Sequence, residues 1–217
     1  MHLIATIELD QSFSKDFDRE VIKEIVKKIK QQAERIRSTV TLELQRYVRE
    51  ALVSAPEYQS ILQGKLRAEL GIPNPDVRIM TIVDTWVNNI KVKVEAGSSP
   101  FLTVDIGMIQ EDYGDVLSLP GAAYEYESYR GGGVIPWLEW LLLEGDRRIV
   151  NRYEFTSNVT RNSRTGMGIM ISKRRGSWQV PPEYSGTSAD NFALRALSGV
   201  ETAIDQIIEK AIKGAFK

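Results

Sequence analysis

The side chains able to do chemistry in this chain are few. None of its 217 residues is a cysteine, so disulfides, thiolate catalysis and cysteine-ligated metal are excluded. The one histidine, His2, adjoins the first methionine, which removes most histidine-based acid–base and metal chemistry. Carboxylates remain. Asp105, Glu111, Asp112 and Asp115 form the densest set, with Glu139, Glu144 and Asp146 a second. A metal-dependent hydrolase would draw on such acids, yet neither set has the spacing of a calcium loop or a two-metal site. Solvated loop acids are the plainer reading. Serines occur in no G-x-S-x-G elbow and no S-x-x-K with a partner base. Gly131–Gly133 and the pair Gly166 and Gly168 match neither standard phosphate-cradling loop. The expectation is a protein that is not an enzyme and needs no cofactor or metal.

Charge distribution says more than any single acid. The formal net charge is only −1, which gives no overall pull towards nucleic acid or membrane. Locally the chain is polarised. From Glu95 to Glu127 there are seven acids and no base, and from Arg147 to Arg175 eight bases and one acid, Glu154. Opposed patches of this kind suit head-to-tail contacts between copies, or contact of the bases with a nucleic-acid backbone. Unremarkable surface charge is the bland alternative. Arg161, Arg164, Lys173, Arg174 and Arg175 are the candidate lumen-facing or partner-facing cluster.

These residues need elements to position them. Residues 3–9 alternate weakly and predict a short strand. Phe17 to Val53 predicts one long amphipathic helix, with a stripe at Ile22, Ile25, Ile29, Ala33, Ile36, Val40, Leu44, Tyr47 and Ala51. It would run roughly 50 Å, either as an internal scaffold or as an arm paired with a neighbouring subunit. Glu57 to Leu70 predicts a second helix capped by Gly71. Val77–Val83, Trp86–Glu95 and Leu102–Met108 read as strands, the last two joined as a hairpin through Gly97–Pro100. Residues 109–133 read as a long loop. Pro136 to Gly145 predicts a short apolar helix, and Ile149–Val159 and Met167–Ser172 two more strands. The final helix runs from about Ser188 to Ala215, capped by Thr187 or Ser188. In domain terms this is a single α+β domain over 1–217, with a helical arm at 17–71, a sheet region at 77–186 and a closing helix at 188–216. The fold class expected is a long N-terminal helix, a central antiparallel sheet and a C-terminal helix packed on it. The start of the chain has no basic n-region or long apolar run, so no signal peptide is expected. The longest apolar run, Val134–Leu143, is about half a membrane span and is interrupted by Glu139, so no membrane partner is expected.

The block from Pro136 to Asn191 holds three of the four tryptophans and three of the eight prolines. It comprises Pro136-Trp137-Leu138-Glu139-Trp140-Leu141-Leu142-Leu143-Glu144-Gly145, then Ser163-Arg164-Thr165-Gly166-Met167-Gly168-Ile169-Met170-Ile171, then Trp178-Gln179-Val180-Pro181-Pro182 and, across Gly186-Thr187, Asn191-Phe192 ahead of the closing helix. This pattern resembles the neck or tail-completion (head–tail joining) proteins of tailed bacteriophages. The resemblance covers about the last 80 residues, and the 110–133 loop and first helix are longer than in the smallest members. It implies a non-enzymatic virion subunit, made in the host cytoplasm and assembled as a homo-oligomeric ring, hexameric by analogy. Such a ring joins the head connector or adaptor to the tail-terminator or tube proteins, with DNA passing non-specifically through the lumen. A tail-terminator or tail-tube-associated role is the alternative station. Trp137, Trp140, Trp178 and Pro181 are then the expected packing or interface anchors.

Overall fold

The computed structural model describes residues 1–8, 19–96, 101–127, 132–157 and 163–216. They form β1 (His2–Glu8), α1 (Arg19–Ser54), α2 (Pro56–Gln63), α3 (Lys65–Leu70), α4 (Pro75–Asn88), β2 (Lys91–Ala96) and β3 (Phe101–Gly107). There follow α5 (Gly114–Leu117), β4 (Tyr124–Tyr126), β5 (Gly133–Ile135), α6 (Trp137–Glu139) and a π-helical turn at Trp140–Glu144. The chain closes with β6 (Val150–Ser157), β7 (Gly168–Trp178), α7 (Phe192–Ala196) and α8 (Val200–Ala215). The expected α+β class, with a long first helix and a C-terminal helix, is present. Among the described residues its strands pair antiparallel in three small sheets rather than in one.

Contacts cluster into two units. The first comprises 1–48, 86–111 and 199–217. Its sheet has the order β1-β3-β2, with Ile4 opposite Asp105 and Val92 opposite Ile106. Alternation along β3 buries Leu102, Val104 and Ile106 while Thr103 and Asp105 stay half-exposed, as one-sided burial of a pleated strand requires. On α1 the buried stripe begins Val26, Ile29, Ile36, Val40, Leu44. Ile25, Ala33, Tyr47 and Ala51, expected on the stripe, are half-exposed instead, and it continues through Val48 and Leu52. A step of four residues advances 400° on a helix of 100° per residue, and repeated steps of four carry the stripe around to those positions. Helix α8 buries Val200, Ile204, Ile208, Ala211 and Ala215 at the i, i+4, i+8 spacing of an amphipathic helix. Lys210 on α8 meets Glu43 on α1 at 3.7 Å.

The second unit comprises 49–85 and 112–198, and here several expectations give way. Val77–Val83 is helix, not strand. Pro75 starts α4, and Ile79, Ile82 and Val83 are buried at helical rather than alternate spacing. The β-branched residues suggested a strand, but Thr81 and Thr85 return their hydroxyls to the Val77 and Thr81 carbonyls at 2.8 Å each, a bond open to threonine in a helix. In the first unit, of the strand expected over Trp86–Glu95, only the part from Lys91 onwards is extended. The helix expected from Glu57 to Leu70 breaks at Gly64, and the 109–133 loop contains α5 and β4. β7 runs to Trp178, well past Ser172. The single closing helix is two: Gly199, at φ 83°, separates α7 from α8. Neither Thr187 nor Ser188 caps it. The fully buried Asn191 does, its Oδ1 accepting from the Leu194 N–H at 3.2 Å, while its amide donates to the Tyr113 hydroxyl and the Thr187 carbonyl at 2.9 Å each. The hairpin turn at Gly97–Pro100 lies outside the described residues.

Candidate functional site: an open groove and a basic bulge

Two exposed features of the second unit stand out. The first is a groove of about 850 Å³ lined by the segment Gly71–Asp76 and by β4, with Arg67 and Arg164 also in its lining. Arg78 on α4 holds the chain that leads into β4. Its Nη1 donates to the Pro120, Gly121 and Ala123 carbonyls at 3.1, 3.2 and 2.7 Å, and its Nε to the Pro73 carbonyl at 2.9 Å. One guanidinium therefore satisfies four loop carbonyls, a use of its fixed fork of donors. Arg78 carries no signal in the sequence, because a strand over Val77–Val83 gives it no such partners, whereas the helix does. Tyr124 is buried, and its hydroxyl donates to the Leu70 carbonyl. Burial raises its pKa above the usual 10, with Arg164 acting in the opposite direction. Arg164 lies 5.2 Å above the Tyr124 ring and donates to its hydroxyl at 3.0 Å, a cation–π arrangement. Gly71, the αL cap of α3 at φ 63°, leaves space for that guanidinium, since a Cβ there would sit 2.8 Å from Arg164 Nη2.

The second feature is the β6–β7 ribbon. Its ladder is regular from Tyr153–Ser172 to Ser157–Gly168, then jumps to Asn151–Ser177. Four residues of β7, Lys173 to Gly176, thus stand opposite Arg152 alone, which adopts φ 65°. Bulges of this kind re-aim side chains and end pairing. Gly176 is required here, because a Cβ would lie 2.6 Å from the Tyr153 carbonyl oxygen. The bulge exposes Lys173, Arg174 and Arg175. Lys173 pairs with Glu154, whereas Arg174 and Arg175 make no ion pair among the described residues.

The residues of the expected basic cluster fall on different features. Arg164 belongs to the groove, Lys173, Arg174 and Arg175 to the bulge, and Arg161 lies outside the described residues. Of the expected anchors, Trp137, Trp178 and Pro181 are buried and Trp140 is half-exposed. Trp137 is fully buried and donates to the Gly121 carbonyl at 2.9 Å. Trp140 and Trp178 meet edge to face at 6.1 Å and 61°, and Trp178 Nε1 donates to Glu69 at 2.6 Å. Pro181 is buried and its carbonyl accepts from the Tyr184 and Ser185 N–H groups at 2.8 and 3.0 Å. Their contacts are with the chain's own ribbon, π turn and loops. The acids considered for metal chemistry do not converge: Asp105 lies on β3, and Asp112 accepts from the Gly114 N–H at 3.0 Å as a local turn. Among the described residues no group of three or more His, Cys, Asp or Glu is placed to hold a metal ion. No helix among them is long and apolar enough to cross a membrane.

No family model matches the chain, and no curated protein or solved structure matches it.

Proposed function

We propose that the chain is a virion structural subunit of the neck of a tailed bacteriophage. It would assemble with copies of itself into a ring, hexameric by analogy, that joins the head connector to the tail and lines the DNA passage. The observation that carries this reading is the β6–β7 ribbon. A two-stranded antiparallel ribbon is marginal alone. This one exposes three successive cations on a bulge, two of them with no ion pair among the described residues. Such an element is suited to contact with another macromolecule, and the resemblance of the 136–192 block to neck proteins supports an assembly of that kind. Function here is binding and shape, with no reaction to catalyse.

Virions carrying alanine at Arg164, Lys173, Arg174 and Arg175 test the reading. Fewer head–tail joined particles, or loss of packaged DNA, is the expected result. Normal joining and DNA retention would overturn the role given to these bases, and absence of the chain from purified virions would overturn the neck reading itself. Calorimetry with magnesium, manganese and calcium tests the hydrolase alternative. No binding heat is expected, and stoichiometric heat would revive it.

A further inference from the structure

Among the described residues β4 pairs with β5 alone, in a two-stranded sheet, which leaves its second edge without a strand partner there. Tyr124, Glu125, Tyr126 and Glu127 all line the groove. Successive residues point to opposite faces of a strand, so a groove lined by four in a row runs along the edge. The lining also includes Pro73 and Pro75, which have no N–H to offer. An unpaired edge is a template for another chain. The charges say which chain. Glu125, Glu127 and Asp76 line the groove and make no ion pair among the described residues. The groove's two guanidinium groups are engaged within the chain, Arg164 with Tyr124 and Arg67 with the Leu62 carbonyl at 2.6 Å. The bulge Lys173–Gly176 offers the complement: exposed cations, and backbone that β6 leaves unpaired.

We infer that the bulge of one copy docks against the open edge of β4 in the next copy, Arg174 and Arg175 facing Glu125 and Glu127. The contact is heterologous, so repeating it yields a ring if the rotation closes and a filament if it does not. This inference rests on the assembly reading above and assigns its surfaces.

Light scattering on the full chain decides it, using wild type, the variant Glu125→Lys/Glu127→Lys, and the variant Arg174→Glu/Arg175→Glu. All four positions are exposed, and circular dichroism checks that the variants keep the fold. Wild type is expected as an oligomer of fixed copy number. Each variant alone is expected to fall to the mass of one chain, with at least tenfold weaker self-association. Mixing the two variants is expected to restore the oligomer, because each reversed surface then meets its complement on the other. A wild-type monomer at every concentration, or an oligomer that either reversal leaves intact, overturns the inference. So does a mixture that stays monomeric. If Arg174→Glu/Arg175→Glu loses DNA retention while its mass is unchanged, the bulge meets nucleic acid rather than a second copy. The neck reading fails on a different measurement, the absence of the chain from virions.

Discussion

Gly186→Ala is expected to be among the most damaging single-methyl changes in the second unit. A Cβ on Gly186 would lie 1.9 Å from the Leu141 carbonyl oxygen, 2.3 Å from its carbon and 2.7 Å from the Leu142 nitrogen. All three atoms are backbone of the π-helical turn, so no rotamer change relieves the clash. An ordinary Cβ contact begins at 3.4 Å, so the segments must separate by about 1.5 Å, the difference from the shortest of these distances. That separation threatens two hydrogen bonds, Gly145 N–H to the Gly186 carbonyl at 2.9 Å and Gly186 N–H to the Trp140 carbonyl at 3.4 Å. Each contributes about 1 kcal/mol, and overpacking a tight site adds roughly 1–3 kcal/mol. The sum is about 3–5 kcal/mol, or a fall in Tm on the order of 10 °C for a chain of this length. Two glycines with open surroundings calibrate the result. Gly214 has nothing within 4 Å of its Cβ position and no positive φ, so Gly214→Ala within α8 is expected to stabilise by up to about 1 kcal/mol. Gly166 is equally open but sits at φ 72°, so Gly166→Ala costs about 1 kcal/mol from backbone strain alone. Thermal and urea unfolding followed by circular dichroism measures all three. A Gly186→Ala protein within 1 kcal/mol of wild type would refute the argument that this contact holds the π turn.

Three further outcomes are expected. Arg195 donates from Nε to Glu57 at 2.7 Å, and the Glu57 side chain is only 3% exposed; Arg195→Leu leaves a buried carboxylate without its partner and is expected to cost about 3–5 kcal/mol, with Glu57→Gln in the same chain recovering part of it in urea unfolding. Asn191→Ala removes a cap and two buried donor contacts and is expected to cost about 2–3 kcal/mol, again read by urea unfolding, with a loss under 1 kcal/mol counting against the assignment. Burial raises the Glu69 carboxyl above its ordinary 4.5, the bond from Trp178 pulling the other way. A raised folded-state value means a stabilising contribution that is complete below about 4.5 and is lost as pH climbs through the folded value. Glu69→Gln is therefore expected to remove a decline of Tm over that window, and an unchanged slope would show that Glu69 is not its source.

How much of this was legible beforehand follows from which forces are local. The long helix was legible because helical periodicity persists from Val26 to Leu52 with no glycine or proline inside it. β3 was legible because alternation at Leu102, Val104 and Ile106 is the signature of one-sided burial. α4 was not, because its β-branched run favours strand locally while burial of Ile79, Ile82 and Val83 decides for helix. The basic residues were visible as a cluster in sequence, yet pairing register split them. A jump of four residues against one in β7 raised Lys173, Arg174 and Arg175 into a bulge, while the Tyr124 ring drew Arg164 to the groove. Arg78 and Glu57 carried no local signal at all. Three of the four carbonyls that Arg78 holds lie 42 to 45 residues away, and the Arg195 partner of Glu57 lies 138 away, separations that no window of sequence contains. The sequence by itself determined composition, charge polarity and the strongly periodic elements, since those depend on neighbours within a few residues. Tertiary structure alone decided which edges stay open, which cations remain unpaired and where the backbone must be glycine, because those depend on what long-range packing places opposite each residue.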